Sequence, residues 1–333
     1  MNIVVIGAGN VGKIYARIIY ENPFLNLVAI VGHKSKRAEN LASKYKTKAV
    51  YNLRSLISGN SDIDAYILAT PEWVRIDPIK EIIGSGKPLL YEKPLASNLK
   101  EARDIYDLIQ SSNNQIIKMP VFNLRFSVPF TAGYERVSKG AIGNIRCINS
   151  RRNGNRNIAK RIINNISPFY WLSPHDMDLL RWFCSTEVEW VRSYHRSFKN
   201  LVDGYLLAHI RLKNGIDVQH MVHWSSPELS NLAPQTSFEL FGTEGIIKID
   251  EKSTNCQLFR EGSFIESADT IYSPVASEEI EGPFRGAVNH FIKCIKNGEK
   301  PIVGTDDAFA SVKICSAMEL SFTDNRKVFL NEI

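Results

Sequence analysis

An alternation of two periods over roughly the first 120 residues limits the fold of this chain more than any single residue does. Asn2–Ile6, Leu27–Val31, Ala65–Ala69, Pro88–Tyr91 and Gln115–Lys118 are short runs centred on apolar residues. Between them, Gly12–Glu21, Arg37–Tyr45, Ile76–Ser85 and Asn98–Ser111 repeat apolar residues at helical spacing. Strands apolar throughout are buried on both faces, and strands joined by helices of this length run in the same direction. Residues 1–120 are therefore expected to form an α/β domain, a parallel sheet covered by helices on both sides.

Beyond Phe122 the rhythm changes. Leu206–Trp224 alternates apolar and polar residues about Lys213-Asn214-Gly215. A three-residue loop there sets Leu212 opposite Ile216 and Ile210 opposite Val218, whereas a two-residue Asn-Gly loop would mismatch the faces. Strand-like runs recur at Phe238–Phe241 and Ile246–Ile249, and helical patterns at Arg285–Lys296 and Asp306–Ser321 close the chain. Residues 121–333 are expected to form a second, α+β domain with a largely antiparallel sheet.

The first strand runs into Gly7-Ala8-Gly9-Asn10-Val11-Gly12, and a helix follows. Glycines at this spacing between a strand and a helix tighten the turn, let the backbone approach a pyrophosphate and let helix and strand pack closely. A Rossmann-type dinucleotide site is expected, with Gly7, Gly9, Asn10, Val11 and Gly12 around the phosphates. Chains that prefer NAD place an acid about twenty residues on, at the end of the second strand. Gly32 stands there, followed by His33-Lys34-Ser35-Lys36-Arg37, four basic residues in five. His33, Lys34 and Arg37 suit the extra phosphate of NADP, so NADP is expected over NAD, with NAD still possible.

Composition narrows the partners. Five cysteines lie scattered with no CxxC spacing, which argues against a disulfide framework or a metal site and for a reducing, cytoplasmic setting. No apolar run is long enough to cross a membrane, and no export signal precedes the first strand. The net charge of +6 comes without a concentrated basic face or a nucleic-acid-binding module, so an anionic cofactor or small substrate accounts for it.

The stretch YWLSPHDMDLLRWF, residues 170–183, carries a helix start by its local grammar. Ser173 is the expected cap, Pro174 sits in the first turn, and Asp176 stands three residues after the cap. His175 and Asp178 are one turn apart. A second charged stretch, Arg151-Arg152-Asn153-Gly154-Asn155-Arg156 with Lys160-Arg161, holds five cations and no acid. It reads either as a solvated loop or subunit contact, or as a clamp, Arg152 included, over a carboxylate or phosphate of the substrate.

Thr70-Pro71 after a strand and Tyr91-Glu92-Lys93-Pro94 after the next complete a pattern that resembles the Gfo/Idh/MocA oxidoreductases. Asn123-Leu124-Arg125-Phe126, Gly140–Ile145, His175 with Asp178 and Arg181-Trp182, Phe241–Gly245 and the helix after Gly304-Thr305-Asp306 extend the resemblance over nearly the whole chain. It implies a Rossmann domain plus an open-faced mixed sheet, with the active site between them. It also implies an NAD(P)-dependent oxidoreductase that moves a hydride between the cofactor and a hydroxyl or keto group of a sugar, sugar acid or cyclitol. A glycosidase using NAD transiently, or a non-catalytic dinucleotide-binding regulator, are the alternatives within that fold. By the resemblance Lys93 becomes the acid/base or hydroxyl-orienting group near the nicotinamide and His175 its companion, and Thr70, Pro71 and Glu92 join the cofactor site. Asn123 and Asp178 fall on the substrate side. A homodimer or homotetramer is expected through the open sheet face.

The chemistry is reasonable for these residue types. Removing hydride from a secondary alcohol leaves a hydroxyl proton to be accepted, and a lysine desolvated beside other cations has its pKa lowered toward that task. Two departures from the family pattern stand out. Trp171 occupies the place four before His175 where polyol-oxidising members often carry Asp, so an aromatic wall replaces a carboxylate. After Thr70-Pro71, where a His often follows, this chain has Trp73, Val74 and Arg75.

Overall fold

In a computed structural model, residues 1–33, 36–59, 62–113, 115–198, 203–226, 235–251, 257–258, 266–267 and 269–333 are described. They fall into two compact units, Met1–Ala96 with Lys100–Asn123 and Val275–Phe309, and Ser97–Leu99 with Leu124–Pro274 and Ala310–Ile333. The chain is thus not divided by one cut near residue 120, because Val275–Phe309 returns to the first unit.

In the first unit β1 (Asn2–Ile6), β2 (Asn26–Val31), β3 (Lys48–Val50), β4 (Ala65–Leu68), β5 (Leu89–Glu92) and β6 (Lys118–Val121) pair in the order β3-β2-β1-β4-β5-β6. Every pairing is parallel. The central strands are apolar along their whole length because helices cover both faces: α1 (Asn10–Glu21), α2 (Lys36–Lys44), α3 (Leu53–Ser58), α4 (Ile76–Gly84) and α5 (Leu99–Gln110). Winding reverses at β1, between β2 and β4, and in such sheets that switch point opens a crevice at the strands' carboxyl ends. The returning helix Pro283–Asn297 packs on α1, with Phe284 edge-on to Tyr15 at 5.6 Å and Arg285 paired to Glu21 at 2.5 Å.

Two features escape the sequence patterns. β3 and α3 are too short to show a period, although Asn52 caps α3 by accepting from Ser55 N at 2.9 Å. The sixth strand lies at Lys118–Val121 rather than Gln115–Lys118, and it contains Pro120. A proline reads as a strand breaker, yet it is tolerated here because β6 is the edge strand.

The second unit is built on β7 (Ile145–Asn155), β8 (Val188–Phe198), β9 (Asp203–Leu212), β10 (Asp217–Ser226), β11 (Gln235–Gly242) and β12 (Ile246–Glu251). They run β12-β11-β7-β10-β9-β8, with Val328–Phe329 added at the β8 edge. Only β7 and β10 are parallel, so the sheet is mixed and mostly antiparallel. The hairpin between β9 and β10 has the three-residue loop, with Val218 opposite Ile210 and Leu212 N donating to Ile216 O at 3.0 Å. Burial alternates along β10: Val218, His220, Val222 and Trp224 are covered, and the residues between them are not. One face is therefore packed and the other open. The packed face meets α7 (Arg156–Ile162) and α8 (Pro168–Cys184), while α6 (Val128–Ser138) lies against β12.

Two sequence expectations need correction here. Helix α8 starts at Pro168, not after Ser173: Ser167 is its cap, accepting from Phe169 N at 3.4 Å, and Pro174 lies inside the helix. The sequence offers Ser-Pro twice, and the first pair wins because the chain between them packs as helix, burying Phe169, Tyr170 and Leu172. The basic stretch is no loop. Arg151 to Asn155 end β7, and Asn155 then caps α7 by accepting from Asn157 N at 2.7 Å. Among the described residues no helix is long and apolar enough to cross a membrane.

Candidate active site

The glycine turn divides its tasks as the spacing requires. Gly7 has φ +109°, and a Cβ there would stand 2.5 Å from Ala69 O. A Cβ at Gly12 would meet Gly7 O at 1.9 Å, so helix and turn touch backbone to backbone. Gly9, by contrast, has nothing within 4 Å of its absent Cβ, which leaves space for a ligand's approach. It is also the cap of α1 and brings no side-chain acceptor to the first N–H groups, nor is there an acid in the first turn. Those donors around Asn10, Val11 and Gly12 suit a pyrophosphate. At the end of β2, His33 and Arg37 are exposed, and a Cβ on Gly32 would lie 3.1 Å from the Ala38 Cβ. Lys34 lies outside the described residues.

Adjacent strands β4, β5 and β6 end in Thr70-Pro71, Lys93-Pro94 and Asn123. Thr70 Oγ1 and Asn123 Oδ1 are buried, and neither has a hydrogen-bond partner among the described residues. Buried polar atoms are rarely left so, and atoms of a bound ligand would satisfy them. Glu92 and Lys93 are each 9% exposed. Burial raises the Glu92 pKa, opposed by a short hydrogen bond from Tyr15 OH and by the charges of Lys93 and Arg75. Tyr15 sits on α1, so the helix that opens the dinucleotide turn is tied to the strand that carries Lys93. Neither Tyr15 nor Arg75 was signalled by a sequence motif.

In the second unit, Trp171, His175 and Asp178 stand at helical spacing on one side of α8. His175 is 8% exposed. Asp178 accepts a fork from Arg125, at 2.8 Å from Nε and 2.6 Å from Nη2, so its charge is met by the chain itself. Trp171 leans on Trp224 at 5.8 Å, and Trp224 in turn covers Gly154, where a Cβ would be 2.4 Å from the indole. Trp171 is thus backed by a second indole, that of Trp224, which is itself buried.

Arg152 does not stand free to clamp an anion. It is 4% exposed and forks onto Asp176, at 2.6 Å from Nε and 3.2 Å from Nη2. A side chain on the covered face of β7 cannot also reach solvent, and a charge run in sequence does not show which face each member takes. Ser150 Oγ donates to Asp176 at 2.9 Å. His220 reaches Ser150 Oγ at 3.2 Å and Ser173 Oγ at 3.1 Å. Burial alone would raise the Asp176 pKa, but Arg152, His220 and the hydrogen bonds outweigh it and hold the carboxyl below its usual range. Ser173 and Asp176 on α8, Ser150 and Arg152 on β7, and His220 on β10 thus fix the helix that bears His175.

Burial lowers the His220 pKa to about 4, with Asp176 opposing and Arg152 assisting. The folded chain keeps this imidazole neutral while the unfolded chain protonates it near 6.5, so stability falls as pH falls from 6.5 to about 4. The loss is about 3 kcal/mol. Unfolding free energies across that window should fall less steeply in His220→Gln than in the wild type, and parallel curves would contradict this.

Residues 1–119 match the model of an oxidoreductase family with an NAD-binding Rossmann fold, and residues 130–248 match the Gfo/Idh/MocA C-terminal domain. This chain belongs to the Gfo/Idh/MocA family of oxidoreductases. It is 25% identical to a scyllo-inositol 2-dehydrogenase (NAD(+)) of Bacillus subtilis (strain 168), over 98% of this chain and 95% of that protein. A myo-inositol 2-dehydrogenase of Thermotoga maritima is 23% identical over 100% and 99% of the two chains. Among solved structures, scyllo-inositol dehydrogenase from Lactobacillus casei with bound NAD(H) and scyllo-inositol superimposes with a TM-score of 0.82 at 18% identity, covering 99% of each chain. The likeness to the solved structure is one of fold.

Proposed function

We propose that the protein is a nicotinamide-dependent dehydrogenase acting on a CH–OH group of a cyclitol or sugar, with Lys93 as acid/base and His175 as its companion. The observation that carries this is the row of strand ends in the first unit. Lys93, Thr70 and Asn123 close three adjacent strands, and two of them hold buried polar atoms that lack partners among the described residues. The names of the inositol dehydrogenases support the substrate class.

The Gly7–Gly12 turn would hold the pyrophosphate, and Thr70, Pro71, Glu92 and Lys93 would line the nicotinamide end. When bound, the dinucleotide supplies the hydride acceptor or donor. The chain's own residues handle the proton. As the carbinol C–H bond breaks, the hydroxyl proton moves to Lys93 Nζ; in reduction Nζ returns it to the nascent alkoxide. His175, the companion group, is assigned the task of hydrogen-bonding and orienting a substrate hydroxyl. Trp171 presents an aromatic surface to the C–H face of a ring substrate, and Asn123 offers an acceptor to a ring hydroxyl. With Arg152 committed to Asp176, a neutral polyol is the better match than an acidic one.

A preference for NADP over NAD is supported by Gly32, which supplies no acid, and by the exposed His33 and Arg37 beside it. The NAD named for two of the similar proteins supports the opposite order. Titrating both cofactors at fixed salt decides between them. NADP should bind more tightly, and a Lys34→Ala, Arg37→Ala double variant should lose about tenfold or more of that affinity, on the scale of charge-assisted bonds. Tighter binding of NAD to the wild type removes the preference.

A further inference from the structure

We infer that Arg75 is a positioning residue for Lys93, holding the backbone on both sides of that lysine with a single guanidinium. Arg75 caps α4 and is 2% exposed. Its Nη1 donates to the carbonyl of Glu92 and to that of Pro94, the residues flanking Lys93. Its Nη2 donates to the carbonyl of Thr70 at 2.8 Å. All of its hydrogen bonds among the described residues therefore run to main-chain oxygens, at the ends of the paired strands β4 and β5.

A cross-brace of this kind does not by itself need a charge. Desolvation of a buried cation is costly, and burial lowers the Arg75 pKa, opposed by the nearby carboxylates of Glu72 and Glu92. What the guanidinium adds is a planar fork whose donors point in fixed directions, so it sets the relative position of three carbonyls at once. Two of those carbonyls bracket Lys93, and the third belongs to Thr70, whose own hydroxyl is buried without a partner among the described residues. The lysine side chain is long and flexible, so the aim of Nζ depends first on a fixed root. Small losses of alignment at a reacting group cost large factors in rate. A neutral or shorter donor would join the strands but would not fix the lysine's root to the same degree.

This inference rests on Lys93 acting in the dehydrogenation proposed above, and the test separates the two. Full-length Arg75→Lys keeps the charge and loses the fork; Arg75→Ala loses both. The first readout is the rate of Lys93 reductive methylation by mass spectrometry, with exposed Lys48 as internal reference. It needs no substrate. The second readout is kcat, KM and dinucleotide affinity on a turned-over inositol. Arg75→Lys should change the Lys93 labelling rate about fivefold or more and leave Lys48 unchanged. Its kcat should drop about tenfold or more, with KM and dinucleotide affinity within about twofold. Millimolar guanidinium should restore part of the Arg75→Ala turnover, and methylammonium should not. Unchanged Lys93 labelling in Arg75→Lys overturns the inference, whether or not turnover falls. If the wild type oxidises no inositol or sugar, the dehydrogenase proposal fails and the labelling comparison alone decides on Arg75.

Discussion

Lys93→Ala is expected to lower kcat by about a hundredfold or more while dinucleotide affinity stays within about twofold of the wild type, the pattern of a lost acid/base group. Lys93 closes β5 at 9% exposure, and its neighbour Glu92 is hydrogen-bonded to Tyr15 rather than exposed to solvent. Truncating its side chain removes the amine without disturbing the Arg75 bonds, which run to the main chain of its neighbours. Binding of the pyrophosphate belongs to the glycine turn, so affinity should survive. Lys93→Arg makes the comparison sharper, because it retains a cation that does not titrate near neutrality. His175→Ala should lower kcat or raise KM on the same substrate. Near-normal turnover in both Lys93 variants and in His175→Ala would remove the assigned roles.

Asp176→Ala is expected to destabilise the fold by about 3–5 kcal/mol, because it leaves the Arg152 cation buried and unpaired. The pair is enclosed, with side-chain exposures of 5% for Arg152 and 0% for Asp176. An Arg152→Met, Asp176→Leu double variant should recover most of the loss, since neither charge then remains to be desolvated. Denaturant unfolding at neutral pH measures all three. The sign with pH is fixed as well. The folded carboxyl has a pKa below 3.8, so its contribution is present above 3.8 and disappears as pH falls through the lower folded value. A loss below about 1 kcal/mol in Asp176→Ala would mean that the pair is solvated and carries little of the folded state's stability.

Much of the architecture was legible because it follows from periods that burial imposes. β1, β2, β4 and β5 carry their apolar runs on the positions that the helices cover, and the β9–β10 register follows from matching Leu212 with Ile216 and Ile210 with Val218. Elements shorter than one period were not legible, as β3 and α3 show. The site was legible in its backbone motifs, Gly7–Gly12 and Glu92-Lys93-Pro94, since each has a local geometric reason. It was not legible where side chains meet across elements. Nothing in Arg151-Arg152-Asn153 shows that Arg152 turns inward to Asp176 while Arg151 turns out. Ser173 follows the same rule: its hydroxyl serves His220 on a distant strand, not the start of its own helix. Arg75 leaves no signal in its own stretch, because two of the three carbonyls it binds, those of Glu92 and Pro94, lie on the next strand end.

Oxidation of a ring alcohol by this chain, as proposed, transfers hydride to a nicotinamide with net reduction of the cofactor. Nicotinamide absorbance, followed with the wild-type protein, each oxidised cofactor and a panel of inositols and neutral sugars, tests it most directly. At least one cyclitol or sugar should give steady, enzyme-dependent reduction of the cofactor, abolished in Lys93→Ala. Tight dinucleotide binding with no change in absorbance on any member of the panel would contradict the claim, as would release of sugar from a glycoside with no net change in the cofactor.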